Sequence, residues 1–297
     1  MHTAIRPRLP VALAAGAVLL TACGPQGTGP ADHEAKRPAA SDDAPAQDGV
    51  RITSAVKRPR ADEPSVATAD FTVTNRETEP FTYTITFTVT SLSGAVLESP
   101  QETVPSVPPG RTVRRTLRLN PTPGTLHDRK HVRIAKVRRV PSDEAPAATG
   151  PCPPSGIRIT ADEGDAAMGL RVVGLHLTNC GTRSRHLDGP PGLELLDGER
   201  KPVPGIDILH DAEDIASGTG FDDPPGPVDL APGESASAGL VWRNTTGAGT
   251  AVNVPYVRIK AGPAFPPVTV TPELDLGTTG RLAVSPWKHA GRAASQQ

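Results

Sequence analysis

Between Phe81 and Thr90 five large apolar residues alternate with five threonines. That is the period-two pattern of a strand with one face in a core and the other toward water. Ala69, Phe71 and Val73 alternate in the same way just before it and end at Thr74-Asn75. Ser93-Gly94 and Val107-Pro108-Pro109-Gly110 read as turns, and Val113, Leu117 and Leu119 line a further strand. A last strand around Val132-Arg133-Ile134 closes a unit that opens at Val50-Arg51-Ile52. About seven short strands over residues 50–140 predict an immunoglobulin-like antiparallel β-sandwich.

Residues 141–151 are rich in Pro, Ala, Asp and Glu and read as a linker to a second module, residues 152–288. There Ile157 and Ile159 start one strand, and Met168, Leu170 and Val172 are followed in the opposite phase by Val173, Leu175 and Leu177. The change of phase beside Gly174 predicts a β-bulge. Leu193 to Leu196 meet an Asp197-Gly198 hairpin turn. Strands follow at Ala236–Trp242, Val257/Ile259, Val268/Val270 and Leu282/Val284. The expected fold class is all-β, with two tandem immunoglobulin-like antiparallel β-sandwich domains.

The two modules share an order of signals. Thr74-Asn75 corresponds to Thr178-Asn179, Pro109-Gly110 to Pro232-Gly233, and Val132-Arg133-Ile134 to Val257-Arg258-Ile259. From Gly to the last strand the separations are 22 and 24 residues, while from Asn to Gly they are 35 and 54. The second module thus carries nineteen extra residues, expected within 204–227, where strand signals are few. Internal duplication and the punctuation common to any two sandwiches both account for this order.

The chain begins with Arg6 and Arg8 and then the apolar run Val11–Leu20, the anatomy of a secretory signal peptide. Leu20-Thr21-Ala22-Cys23 resembles the lipobox of bacterial lipoproteins. The resemblance implies that residues 1–22 are removed and that Cys23 is acylated, anchoring the chain at the outer face of the cytoplasmic membrane, in the cell envelope. Residues 23–49 hold almost no large apolar side chain and read as a disordered tether, and 289–297 as a disordered tail. In that compartment the two remaining cysteines, Cys152 and Cys180, are expected to pair. A metal reading fails for want of ligands beyond His176 and Cys180.

The segments Leu177-Thr178-Asn179, Pro191–Val203, Leu230–Trp242 and Leu282–Trp287 carry a further resemblance. Residues 152–287 look like an actinobacterial secreted and lipoprotein domain of unknown function, marked by a Leu-Ala-Pro-Gly turn, a strand ending in Trp, and disulfides. The resemblance brings no catalytic residues. This chain departs from the pattern in having two cysteines here, the second directly after Asn179. Residues 50–140 resemble bacterial immunoglobulin-like modules only in general terms.

Candidate chemistry is sparse. Ser54-Ala55-Val56-Lys57 matches the SxxK spacing of penicillin-interacting enzymes, but it falls in a predicted strand and lacks the companion SDN and KTG elements. His210, Asp211, Glu213, Asp214, Asp222 and Asp223 offer oxygen and nitrogen for a cation, on a Pro/Gly-rich loop where acidic residues are usually solvated. No metal and no cofactor is therefore expected.

Charge changes the picture more. Residues 50–140 hold 15 Lys/Arg against 8 Asp/Glu, a net +7, and residues 151–288 hold 11 against 17, a net −6. Arg111, Arg114, Arg115 and Arg118 share one predicted strand, with Arg133, Lys136 and Arg138 close behind. Such a face suits an anionic envelope polymer or lipid headgroups. The same charges also fit mutual attraction of the modules, or edges protected from aggregation. With nine aromatic residues and an extracytoplasmic compartment, nucleic acid is not an expected partner. The expectation is a non-catalytic envelope lipoprotein that binds an envelope component or a protein partner. The alternatives are a spacer without a ligand and an unrecognised envelope hydrolase.

Overall fold

The computed structural model describes residues 46–54, 56, 67–120, 130–222 and 224–290. The signal peptide, Cys23, the tether as far as residue 45 and the tail from residue 291 lie outside the described residues. The fold is all-β, and the described residues contain no α-helix. They build two hydrophobic cores in sequence.

The first core lies between two sheets. One holds β1 (Val50–Ile52), β2 (Thr68–Thr74) and β6 (Thr112–Arg118), in the order β1-β2-β6. The other is centred on β3 (Phe81–Ser91), flanked on one edge by β4 (Val96–Glu98) and β5 (Gln101–Val107) and on the other by β7 (Lys130–Pro141). The apolar positions of the threonine-alternating stretch, Phe81, Tyr83, Ile85, Phe87 and Val89, are all buried. Phe71 from the first sheet meets Phe87 from the second with ring centroids 5.1 Å apart.

The pairing of β3 with β7 shifts register between Thr86 and Phe87, so Ala135 faces no partner. This bulge re-phases the strand. Arg133, Lys136 and Arg138 lie opposite Thr88, Thr86 and Thr84 and share the threonine face.

The second module opens with β8 (Ile157–Ala161), β9 (Asp165–Ala167) and β10 (Leu170–Asn179), then β11 (Arg185–Leu187), β12 (Gly192–Leu196) and β13 (Asp207–Leu209). A 3-10 turn at Ala212–Asp214 precedes β14 (Val228–Leu230), β15 (Ser235–Arg243), β16 (Val252–Val254) and β17 (Tyr256–Lys260). The module ends with β18 (Val268–Val270), β19 (Leu274–Gly277), β20 (Arg281–Val284) and β21 (Lys288–His289). The main sheet runs β13-β20-β15-β10-β8, and β12-β17-β18 faces it across a core that includes Leu175, Leu240, Ile259, Trp242 and Trp287.

Two expectations are corrected here. The bulge expected at Val172–Val173 is not in the pairing of β10 with β15, which runs unbroken from Leu170↔Arg243 to Thr178↔Ser235. Apolar residues occur in both phases because both faces are covered. Val173, Leu175 and Leu177 enter the main core, while Leu170 and Val172 pack outward against Val241, Ala283, Ala212, Ile215 and Phe221. The extra residues also contain a strand: β13 pairs in parallel with β20, and the 3-10 turn and Phe221 lie over the outer face of the main sheet. Strand signals were sparse because three residues on a sheet edge need no long alternation. At Gly239 a Cβ atom would come within 2.3 Å of the Phe221 ring, so glycine here is a packing requirement.

The residues aligned between the modules hold matching bonds. Asn75 and Asn179 are both fully buried polar residues. Asn75 Nδ2 donates to the carbonyls of Glu79 (2.7 Å) and Val107 (2.8 Å), and its Oδ1 accepts from Glu77 N. Asn179 Nδ2 donates to Arg183 and Leu230 (both 2.9 Å), and its Oδ1 accepts from Gly181 N. The amides of Asn75 and Asn179 donate to Arg111 O and Glu234 O, and their carbonyls accept from Gly110 N and Gly233 N.

Counted from each Asn and each Gly, every partner occupies the same offset in both modules. The register repeats too: Phe81↔Val107 matches Arg185↔Leu230, and Thr74↔Thr112 matches Thr178↔Ser235. Even the hydroxyl pairs recur, at 2.8 Å between Thr74 and Thr112 and 2.9 Å between Thr178 and Ser235.

Candidate functional site

Residues 141–151, read as a linker from their composition, join the two cores and are held down. Glu144 accepts from Arg258 and from Thr269 Oγ1 (2.7 Å), while its carbonyl accepts from Thr269 N. Val140, Leu196 and Tyr256 form a small apolar cluster beside it, with Ala145 packed on. The hydrogen bond that Arg258 donates to Glu144 holds its pKa above the ordinary value, against some desolvation.

On the other side of the junction Arg138 grips Glu273 with two parallel bonds, Nε to Oε1 at 2.6 Å and Nη2 to Oε2 at 2.7 Å. Lys136 Nζ approaches the same carboxylate at 3.4 Å. Burial opposes the Arg138 charge, but the bonds to Glu273 outweigh it and its pKa is raised. Glu273 has φ of 57°, a left-handed backbone costly for a glutamate. A cavity of about 380 Å³ opens here, lined by Arg138, Gly198, Asn253, Pro255 and Glu273 among others. A third contact joins Arg200 to Glu77 (3.6 Å) and sets its guanidinium 4.5 Å from the Phe81 ring centroid. Arg139 holds Glu77 from the other side at 2.8 Å.

The seven basic candidates therefore do not form one face. Arg133, Lys136 and Arg138 are on β7, where Lys136 and Arg138 turn to Glu273 and Arg133 stays exposed. Arg114 and Arg118 are on β6, in the other sheet, with Arg111 in the turn before it. Arg114 lies across Thr72 from Arg51, and Arg118 lies opposite Thr68. Arg115 points to the other side, at the open edge, and donates to Arg114 O at 3.0 Å. Arg111, Arg114, Arg115 and Arg118 are all exposed, and no carboxylate among the described residues pairs with them.

The acidic loop is committed to its own backbone. Asp211 caps the 3-10 turn through Glu213 N. Asp222 accepts from Gly218 N (2.7 Å), Thr219 N (3.1 Å) and Thr219 Oγ1 (2.7 Å). The Thr219 hydroxyl leads the causes that lower its pKa, with backbone N–H groups assisting. Asp223 lies outside the described residues, and His210, Glu213 and Asp214 are exposed. Among the described residues no three His, Cys, Asp or Glu side chains converge as metal ligands. Ser54 Oγ accepts from Asp70 N at 2.8 Å, while Lys57, its SxxK counterpart, lies outside the described residues. Cys152 and Cys180 are joined by a disulfide with Cα atoms 5.6 Å apart.

Residues missed by sequence reasoning are Glu77, Glu144, Arg200 and Glu273, acidic and basic groups whose partners are distant in the chain. Arg138 and Glu273 are 135 residues apart.

Residues 152–288 match the family model described as a domain of unknown function, DUF4232, so such a domain forms the second module. Comparison with curated proteins gives no match.

Proposed function

We propose that this chain is a non-catalytic bacterial lipoprotein, anchored through Cys23, that binds an anionic envelope polymer along β6. Its two modules are tandem immunoglobulin-like sandwiches descended from one duplicated unit. The recurring Asn knot, register and hydroxyl pair support the duplication, since common punctuation does not require the same bonds at the same offsets. The observation that carries the binding reading is the exposure of Arg111, Arg114 and Arg118, none in an ion pair with a carboxylate among the described residues; Asp70, opposite Thr116 and accepting from its hydroxyl, is the one carboxylate set between Arg114 and Arg118 on that face. A row of guanidinium groups that outnumbers its neighbouring carboxylate is a ready counterpart for repeated phosphate or carboxylate groups.

The test uses residues 23–297 carrying Cys23→Ser, which keep every described residue. Arg111→Glu, Arg114→Glu and Arg118→Glu together should abolish salt-sensitive retention on purified anionic wall polymer. Retention unchanged by the triple substitution would overturn the reading. The spacer alternative is favoured by one observation, the fixing of the junction by Glu144 and Glu273.

A further inference from the structure

Three large apolar side chains are strongly exposed among the described residues, Leu92, Val96 and Met168. Two of them sit four positions apart on one hairpin, Leu92 at 65% and Val96 at 63% exposure. The hairpin is a built turn. Ser91 N donates to Ala95 O (2.9 Å), Gly94 N to Ser91 O (3.1 Å) and Ala95 N to Ser91 Oγ (3.2 Å). Leu92 is therefore displayed by a closed ring of bonds.

Strand register places cations beside this tip. Thr90 lies between Val96 on β4 and His131 on β7, Ser91 faces Lys130, and Thr88 faces Arg133. Among the described residues Glu98, opposite Val89, is a nearby carboxylate, its Oε2 accepting from Asn120 N, and Lys130 Nζ donates to Asn120 O at 3.4 Å. The tip is also at the far end of the first module from the junction. Strand β3 starts at Phe81, opposite Pro141 where the chain leaves for the second module, and ends at Ser91. Eleven residues at about 3.3 Å each put the tip roughly 36 Å away.

We propose that this tip, with Leu92 and Val96 entering the headgroup region and Arg133 and Lys130 beside them, docks on an anionic lipid surface. A convex turn with two aliphatic side chains cannot supply the roughly 800 Å² per partner of a stable protein interface. Shallow insertion of aliphatic side chains with cations at the rim is how peripheral elements hold a charged bilayer. The inference depends neither on acylation of Cys23 nor on polymer binding at β6.

The test again uses residues 23–297 with Cys23→Ser, labelled with an environment-sensitive dye at Leu92→Cys or, as control, at Met168→Cys. Vesicles containing phosphatidylglycerol should blue-shift the dye at position 92 and leave it unchanged at 168, and pure phosphatidylcholine should shift neither. Val96→Asp, at an exposed position, should lower the vesicle-bound fraction at least tenfold, and Arg133→Glu should lower it at low salt. No shift at position 92, an equal shift at both positions, or binding indifferent to Val96→Asp would overturn the proposal. Since the β6 triple substitution is read on purified polymer, failure of one proposal is distinguishable from failure of the other.

Discussion

Asn75→Ala and Asn179→Ala test whether the recurring knot holds each module together. Each side chain makes three hydrogen bonds to backbone. The bond to Val107 O or Leu230 O is buried, and losing it strands a carbonyl at a cost of about 1–3 kcal/mol. The other two in each knot are part-buried and contribute about 0.5–1.5 kcal/mol apiece. Each alanine should therefore destabilise its module by roughly 2–6 kcal/mol, a large share of the 5–15 kcal/mol of an ordinary domain.

Both tryptophans, Trp242 and Trp287, are in the second module, so their fluorescence reports that core, while far-UV circular dichroism follows both. In urea, Asn179→Ala should move the tryptophan transition directly. Asn75→Ala should move an earlier circular-dichroism transition, or both together if the junction couples the modules. Asn→Asp is the sharper variant, since an ionised carboxylate accepts only and would face two carbonyls it cannot bond. It should cost at least as much as alanine at neutral pH. Alanine variants within about 0.5 kcal/mol of the parent, or Asp variants of full stability, would refute the argument that the two donated bonds carry the knot.

Gly239→Ala places a Cβ 2.3 Å from the Phe221 ring and should cost about 1–3 kcal/mol by overpacking. Combined with Phe221→Ala the two costs should be less than additive in a urea-melt double-mutant cycle. Cys152→Ala with Cys180→Ala opens a loop of sequence separation 28 and should lower stability by about 3–4 kcal/mol in the same melt, on the loop-entropy account. Asp222 has a lower pKa folded than unfolded, so protonation favours the opened loop. Its contribution is full above the ordinary carboxylate value of 3.8 and is lost as pH falls through the lower folded value. The protection factors of the Gly218 and Thr219 amides, measured against their intrinsic exchange, should fall across that range in the parent, while Asp222→Ala should leave both unprotected at every pH.

Strands with clean alternation were legible because one face of each is buried, as β2 and β3 show directly. The Asn and Gly punctuation was legible as well, since both residue types are dictated by backbone bonding rather than by neighbours in space. Strand β5 escaped notice for a reason visible in its pairing. Tyr83 faces Val104 and Phe81 faces Val107, so one residue on β3, Thr82, opposes two on β5, Pro105 and Ser106, and Ser106 has a positive φ of 47°. The buried residues of β5 are thus three apart, which breaks the period of two. In β10 and β15 the difficulty is the opposite, because both faces are covered and the alternation fills in. The junction was not legible at all. Its ion pairs join residues whose proximity follows from how two cores meet, not from local pattern.

Net charge gives the wrong account of that junction if read alone. A +7 module and a −6 module should attract through cations of the first and anions of the second, and Lys136 and Arg138 on Glu273 follow that rule. The other contacts do not. Arg200 reaches from the acidic module to Glu77 of the basic one, and Arg258 reaches to Glu144 in the connecting segment. What fixes the modules is therefore the placement of single groups, each half-buried and bonded in a defined direction, which long-range attraction cannot supply. The surplus positive charge is accordingly not consumed where the modules meet. It stays exposed on β6, on a different sheet from the cations that do the joining.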